Sequence, residues 1–379
     1  MKSYLKAFKE DFEIPGIVEQ KMENALVRIR MEDTMTRNRI QNVNAGRKKK
    51  EKWIKNRAAV IAGICLLTLG SISAYAAYHY FWSRGMQGEL YATEGEQQRL
   101  VEQDMVTVFQ GMEQYEDMAV TAGGVTITPQ MMVSDERVVH LSLAIEGYDL
   151  KVGEEPCFEF VEAYMGEEPQ ALDGRLNVFG DFYDGIITAE DGSSTYEDGT
   201  PIKVDENGKL ISYYTDEEGK LEFILTGIVT EPEKRILGEE LHVKLTNLGT
   251  SAKTAFMDDV EGEWSFDFKL PQTSMTELKQ VGKKVADTGY LLENIEISPV
   301  SVQLNYDAKK GAYNDTVYRG RLEFVGVVLE DGTRYSHLSD GGLRGMDFEI
   351  SAFERVIDPD KVTGILLRNG DEVVEVVVE

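Results

Sequence analysis

The side chains in this chain that could do chemistry are mostly carboxylates. Asp181, Asp184, Glu190, Asp191, Glu197, Asp198, Asp205, Glu206, Asp216, Glu217 and Glu218 crowd one glycine-rich stretch. Clustered oxygen ligands on turns are what calcium uses, but the Asp-x-Asp-x-Asp-Gly spacing is missing. Asp205-Glu206-Asn207-Gly208-Lys209-Leu210 and Asp216-Glu217-Glu218-Gly219-Lys220-Leu221 are near copies, which reads as two solvated hairpin turns. Tyr213 and Tyr214 beside them suit either a binding face or packing on a sheet. The four histidines, His79, His140, His242 and His337, form no His-x-x-x-His pair and lie near no cysteine pair, so no zinc site is expected. There is no nucleophile elbow, phosphate-binding loop or dinucleotide fingerprint. Among 67 acidic residues no particular pair stands out as a hydrolytic one. The expectation is a chain that is not an enzyme, with no cofactor, no metal and no catalytic residue.

The element that organises everything else is the uncharged run Ala58 to Ala77. At ~1.5 Å per residue it covers roughly 30 Å, the thickness of a bilayer's hydrocarbon core. Arg47, Lys48, Lys49, Lys50, Lys52, Lys55 and Arg57 precede it, with Trp53 among them; Tyr75, Tyr78, Tyr80, Phe81 and Trp82 crowd its far end. Basic residues mark the cytoplasmic side and aromatic rings the headgroup layer. A retained transmembrane helix with a cytoplasmic N-terminus and an extracytoplasmic C-terminus is therefore expected in the cell membrane. A cleaved signal peptide would need a much shorter basic segment, although Ala74-Tyr75-Ala76 has the small-x-small form that signal peptidase reads.

Charge divides at the same point. Residues 1–57 carry 15 basic and 8 acidic residues, and the rest carries 25 and 59. A basic inside suits an anionic inner leaflet, and an acidic outside makes nucleic acid an unsuitable partner. Cys65 in the apolar run and Cys157 far beyond it are not expected to pair, so the exterior must stand on apolar cores.

The domain reading follows. Residues 1–56 form a cytoplasmic helical segment, 57–82 the membrane helix with its flanks, 83–118 a helical stalk, and 119–271 and 272–379 two β-sandwich modules of immunoglobulin-like type. Leu5, Phe8 and Phe12 share one helix face; Pro15 starts a second helix on which Val18, Met22, Leu26 and Ile29 recur. Two narrow stripes that cannot bury each other favour a protein partner. Thr93-Glu94-Gly95-Glu96 is a capping box opening the stalk helix. From about Val120 strand alternation takes over, with Leu248-Gly249, Asp331-Gly332 and Asn369-Gly370 as turn signals. Pro271 to Asp287 reads as a polar boundary. Val125-Thr126-Ile127-Thr128-Pro129 is echoed by Ile295-Glu296-Ile297-Ser298-Pro299, a hint that the two modules are related.

Phe12-Glu13-Ile14-Pro15-Gly16-Ile17-Val18, followed by Lys21-Met22-Glu23-Asn24-Ala25-Leu26, resembles the cytoplasmic segment of membrane-bound anti-sigma factors of Gram-positive bacteria. Phe81-Trp82-Ser83-Arg84-Gly85, Ala92-Thr93-Glu94 and Gly124-Val125-Thr126-Ile127-Thr128 look like an uncharacterised ectodomain family attached to such segments. Residues 1–57 hold neither His nor Cys, so the resemblance is to the zinc-free type. It implies that Phe8, Phe12, Val18, Met22, Leu26 and Ile29, rimmed by Arg28 and Arg30, hold an extracytoplasmic-function sigma factor until an envelope signal reaches the exterior. Release by proteolysis would begin with an envelope protease cutting at Ala74-Tyr75-Ala76, between Ala74 and Ala76 or just after, and Gly63, Gly70, Ser71 and Ser73 would weaken the helix for an intramembrane protease. The rival reading is a membrane-anchored surface module that binds a wall polymer, a peptide or an envelope protein and has no sigma factor partner.

Overall fold

The computed structural model describes residues 82–378 except 110–114, 116–117, 152, 167–175, 190–192, 207, 253–254, 286–289, 308–321 and 346. The sigma-binding candidates, the apolar run and Ala74-Tyr75-Ala76 thus lie outside the described residues. Among the described residues, no helix is long and apolar enough to cross a membrane. What is described is mainly β.

Two short helices lead in, α1 (Arg84–Glu89) and α2 (Glu94–Glu102). The capping box is formed: the Thr93 hydroxyl accepts from Glu96 N, and the Glu96 carboxylate accepts from Thr93 N. The first module then runs through β1 (Val106–Val108), β2 (Val120–Ala122), β3 (Val125–Ser134), β4 (Val138–Glu146), β5 (Glu155–Met165) and β6 (Leu176–Phe182). It continues through β7 (Ile186–Thr188), β8 (Ser194–Tyr196), β9 (Leu221–Val229), β10 (Glu240–Ala252) and β11 (Ala255–Lys269). The large sheet has the order β1-β3-β4-β9-β6 with β2 also on β3; the small sheet is β11-β10-β5, and β7-β8 is a separate hairpin. Between the sheets lie Leu141, Phe223, Leu225, Leu245 and Trp264, whose indole N–H donates to Val125 O at 3.2 Å.

The second module comprises β12 (Glu277–Lys284), β13 (Leu291–Ile297), β14 (Ser301–Asp307), β15 (Glu323–Leu329), β16 (Arg334–Tyr335), β17 (Ser339–Arg344), β18 (Phe348–Phe353), β19 (Val362–Asn369) and β20 (Glu372–Val377). Its large sheet is β12-β13-β14-β18-β17 and its small sheet β16-β15-β19-β20, packed over Leu304, Phe324, Phe353 and Ile365. The two modules repeat one topology. In chain order β3, β4, β5, β6, β9, β10, β11 correspond to β13, β14, β15, β17, β18, β19, β20. In each, strands one, two, five and four make one sheet, and three, six and seven the other. That is the strand order of an immunoglobulin constant-type sandwich. Val125 and Ile295, which open the sequence echo, begin or lie on equivalent strands.

Three expectations are corrected. The described residues from 83 to 109 are not a free stalk: Met86, Leu90, Leu100 and Met105 are fully buried, and β1 joins the first module's sheet. The segment binds both modules. Ser83 Oγ lies 3.0 Å from Ser142 Oγ in the first, while Tyr91 N donates to Glu354 O and Arg99 pairs with Asp358 in the second. Leu248-Gly249 is not a turn but a bulge inside β10, beside Asn247 at φ 46°. A Cβ on Gly249 would come within 2.0 Å of Met257 O, so glycine is there for strand approach. Finally, the polar stretch Pro271 to Asp287 contains β12, an edge strand whose alternating exposed positions masked its periodicity.

Candidate functional site

The strand pattern of β4 and β9 leads to the site. Alternation in Val139, His140, Leu141, Ser142, Leu143 predicts one wet face, yet both faces are buried, as they are throughout β9. The outward face of this large sheet is covered by α1 and by the large sheet of the second module. Ile350 and Ala352 of β18 join the first module's core cluster, and Phe179 of β6 sits against Gly341 of β17, where a Cβ would meet its ring at 2.9 Å. The junction therefore has an apolar centre with a polar cluster on either side.

In the cluster at β13 and β14 every charged group has partners. Arg137, from the β3–β4 turn and 1% exposed, donates through Nε to Gln303 Oε1 and through Nη2 to Glu296 Oε2, both at 2.5 Å. Arg235 adds bonds of 2.9 Å to Glu296 and 2.8 Å to Glu136. Asp135 Oδ1 accepts the turn amides of Arg137 and Val138 at 2.7 Å, and Oδ2 accepts the hydroxyls of Ser298 and Ser301 across the junction. Two arginines thus meet two glutamates, and the buried carboxylate has four donors.

The cluster at β17 and β18 is the opposite. Glu89 ends α1, Asp181 lies on β6, Asp340 on β17, and Glu354 follows β18. Burial raises Asp340 well above the usual aspartate range, and the nearby Glu89, Glu354 and Asp181 push it further. Glu89 is raised by burial and by Asp181, against hydrogen bonds from Asp340 and Thr226. Two carboxyls that hydrogen-bond must share a proton. Burial carries Glu354 up to about 7 against the pull of Arg355, and raises Asp181 with help from Asp184. Asp340 Oδ2 is sealed from solvent with no hydrogen-bond partner. Asp340 and Glu354 line a cleft of about 740 Å³ whose other walls include Thr188 and Ser194 of the β7–β8 hairpin.

A relay continues inward from this cluster. Thr226, which bonds Glu89, is 3.0 Å from His140 Nδ1. His140 is 0% exposed, its Nε2 has no partner, and burial drops its pKa to about 4, against the charge of Asp135. At the other end of α1, Glu222 accepts from Gly85 N at 2.6 Å, Met86 N at 3.3 Å and Ser142 Oγ at 2.6 Å, anion and helix N-terminus meeting favourably.

The acid-rich stretch is divided by the fold. Asp181 enters the cluster. Asp205 Oδ1 and Asp216 Oδ1 instead accept from Lys209 N and Lys220 N of their own turns, each at 2.8 Å. Asp184 and Asp198 likewise bond their own loops. Among the described residues no three acidic, His or Cys side chains are placed to hold a metal. Tyr213 packs edge-on to Tyr196, and His242 sits 2.6 Å from Asp267 beneath Tyr164 on an open sheet face. Sequence reasoning missed Glu89, Asp340 and Glu354. They are far apart in the chain, and none carries a local motif.

No family model and no curated protein matches the chain. Among solved structures, a conserved domain protein from Bacillus anthracis is 14% identical, with a TM-score of 0.41 over 69% of this chain and 79% of that one. A mouse coronavirus receptor-binding domain in complex with its murine receptor gives 10% identity and a TM-score of 0.13, over 67% of this chain and 98% of that one. Likenesses of that size do not bear on function.

Proposed function

We propose that the chain is a single-pass membrane regulator. Residues 1–56 hold an extracytoplasmic-function sigma factor at the inner face of the membrane, residues 57–82 cross it, and the two β-modules receive an envelope signal outside. The observation that carries this reading is the order of features along the chain: amphipathic stripes, seven basic residues, an uncharged run of bilayer length, then an acidic body. The packing of residues 83–105 against both modules supports it, because the segment that follows the apolar run in sequence is part of the body rather than a tether.

The test uses the full-length protein in mild detergent, tagged and captured from host cells. Wild type should recover one sigma factor, identified by mass spectrometry, and Leu26→Asp should lose it. A charge placed in a buried apolar contact costs about 3 kcal/mol, on the order of a hundredfold in affinity. Equal recovery of only background protein by both forms would leave residues 1–56 as a basic anchor, with the function lying in the two modules.

A further inference from the structure

We propose that the β17 end of the module junction is a proton-operated latch: protonated Glu89, Asp340 and Glu354 keep α1 and the second module docked, and loss of their protons opens the cleft between them.

The geometry requires protons there. Glu89 from α1, Asp181 from β6, Asp340 from β17 and Glu354 after β18 converge from four elements, and every charge acting on Asp340 is another acid. Like charges repel more strongly where water is partly excluded, and Asp340, whose Oδ2 is sealed from solvent, sits among three other acids, so the docked arrangement disfavours the fully ionised cluster. The basic groups nearby are engaged. Arg344 lies 2.9 Å from Glu323 and 2.8 Å from Glu349, and Arg368 3.2 Å from Glu323. Arg84, at the far end of α1, lies 2.5 Å from Glu197 and donates to Tyr213 O. Arg355 stacks on Tyr91 at 4.2 Å and on Tyr335 at 5.4 Å while it pulls on Glu354. Glu222 is held by the α1 N-terminus and Ser142, and Asp184 by Ile186 N and Ser212. His140 is neutral and joined to Glu89 through Thr226. His337 is the remaining titratable group on the cleft wall, exposed and bonded to Ser336.

The orphaned Asp340 Oδ2 is the second observation. An ionised carboxylate oxygen in that position would have neither water nor donor, a far larger cost than the single unmet hydrogen bond of a neutral carboxyl. The direction of the response follows. These groups hold protons more tightly docked than free, so docking is favoured at low pH. It weakens as pH rises from the ordinary glutamate value through about 7, where Glu354 ionises. The cluster sits on the end of α1, whose start at Arg84 closely follows the apolar run in sequence, so opening acts on the segment nearest the proposed span. The latch does not depend on what residues 1–56 bind, because its readout lies wholly within the body.

Hydrogen exchange on the full-length protein in detergent tests it, with rates divided by the intrinsic chemical rate at each pH. Tyr91 N donates to Glu354 O and Val356 N to Tyr91 O, both at 2.8 Å, so these two amides report docking. From pH 6 to pH 8 their protection should fall at least tenfold, while amides of β4 and β10 stay protected. The double variant Asp340→Asn with Glu354→Gln should abolish the fall, and His337→Gln should leave it intact. Glu354→Gln alone, the milder change, should shrink the fall if the double variant does not fold. Constant wild-type protection overturns the latch. So does a fall that keeps its full size in the Glu354→Gln forms, one that vanishes in His337→Gln, or one shared by β4 and β10.

Discussion

The two polar clusters of the junction lie on the same sheet, β13 and β14 carrying one and β17 the other, yet they are built on opposite principles. Around Arg137, two arginines and two glutamates neutralise one another, and Asp135 is saturated by amides and hydroxyls. Around Asp340, four carboxyls meet with one sealed oxygen unpaired. Burial of charge is tolerated when partners and donors replace water, and otherwise the group must change its protonation. The first cluster is therefore a fixed joint and the second a conditional one.

The largest effect should come from breaking the fixed joint. Arg137→Met leaves Glu296, Gln303 and Glu136 facing an apolar side chain. Removing one partner of a buried pair costs about 3–5 kcal/mol, to be read as a shift in urea midpoint that changes little between pH 6 and 8. A small or strongly pH-dependent loss would erase the contrast between the clusters.

Next comes the acid side. His140 is held neutral, its pKa lowered to about 4 from 6.5, so the folded state binds fewer protons than the unfolded one. Stability is then present above pH 6.5 and is lost as pH falls through 4, by about 3 kcal/mol at the lower limit. His140→Gln should flatten that limb of a stability–pH profile, whatever its offset. Unchanged acid sensitivity would mean that other groups carry it.

A smaller gain is expected from Asp340→Asn. The amide keeps the shape and removes the charge, so the gain in stability should be larger at pH 8 than at pH 5, because the folded carboxyl holds its proton more tightly than the unfolded one. Thermal melts at the two pH values decide it, and equal effects at both would show that the charge is not what matters. Smallest of all is Arg334→Ala. Its pair with Glu375 is exposed on the second module's small sheet, and such pairs contribute about 0.5 kcal/mol or less. A larger loss there would mean that surface charge, rather than burial, separates the clusters.

Much of the β architecture was legible because its causes are local. Val139 to Ile145, Phe223 to Leu225, Trp264 to Phe268 and Val362 to Leu367 alternate or cluster as strands do, and each is a strand. Asn369-Gly370 closes the β19–β20 hairpin, and the capping box at Thr93 opens α2. The twin aspartate turns were readable as turns because each Asp bonds an amide only four residues on. The echo between Val125 and Ile295 foreshadowed the repeated topology, though five residues could not state the strand order.

What the chain by itself determined, then, is its periodicity, its turns and its charge division, all set by neighbours within a few residues. Tertiary structure alone decided which alternate faces are wet. His140, Ser142 and Thr226 have the polar pattern of an exposed face and lie dry beneath α1 and the second module. It also decided which few of 67 acids matter. Glu89 and Asp340 meet across about 250 residues of chain, and Ser298 finds Asp135 across 163. The polar members of the Ile295 to Ser298 run became junction contacts, whereas Thr126, their counterpart in the first module, bonds Thr121 at the surface. A carboxyl's protonation depends on desolvation and on the charges around it, and both are properties of the packed junction rather than of any stretch of sequence.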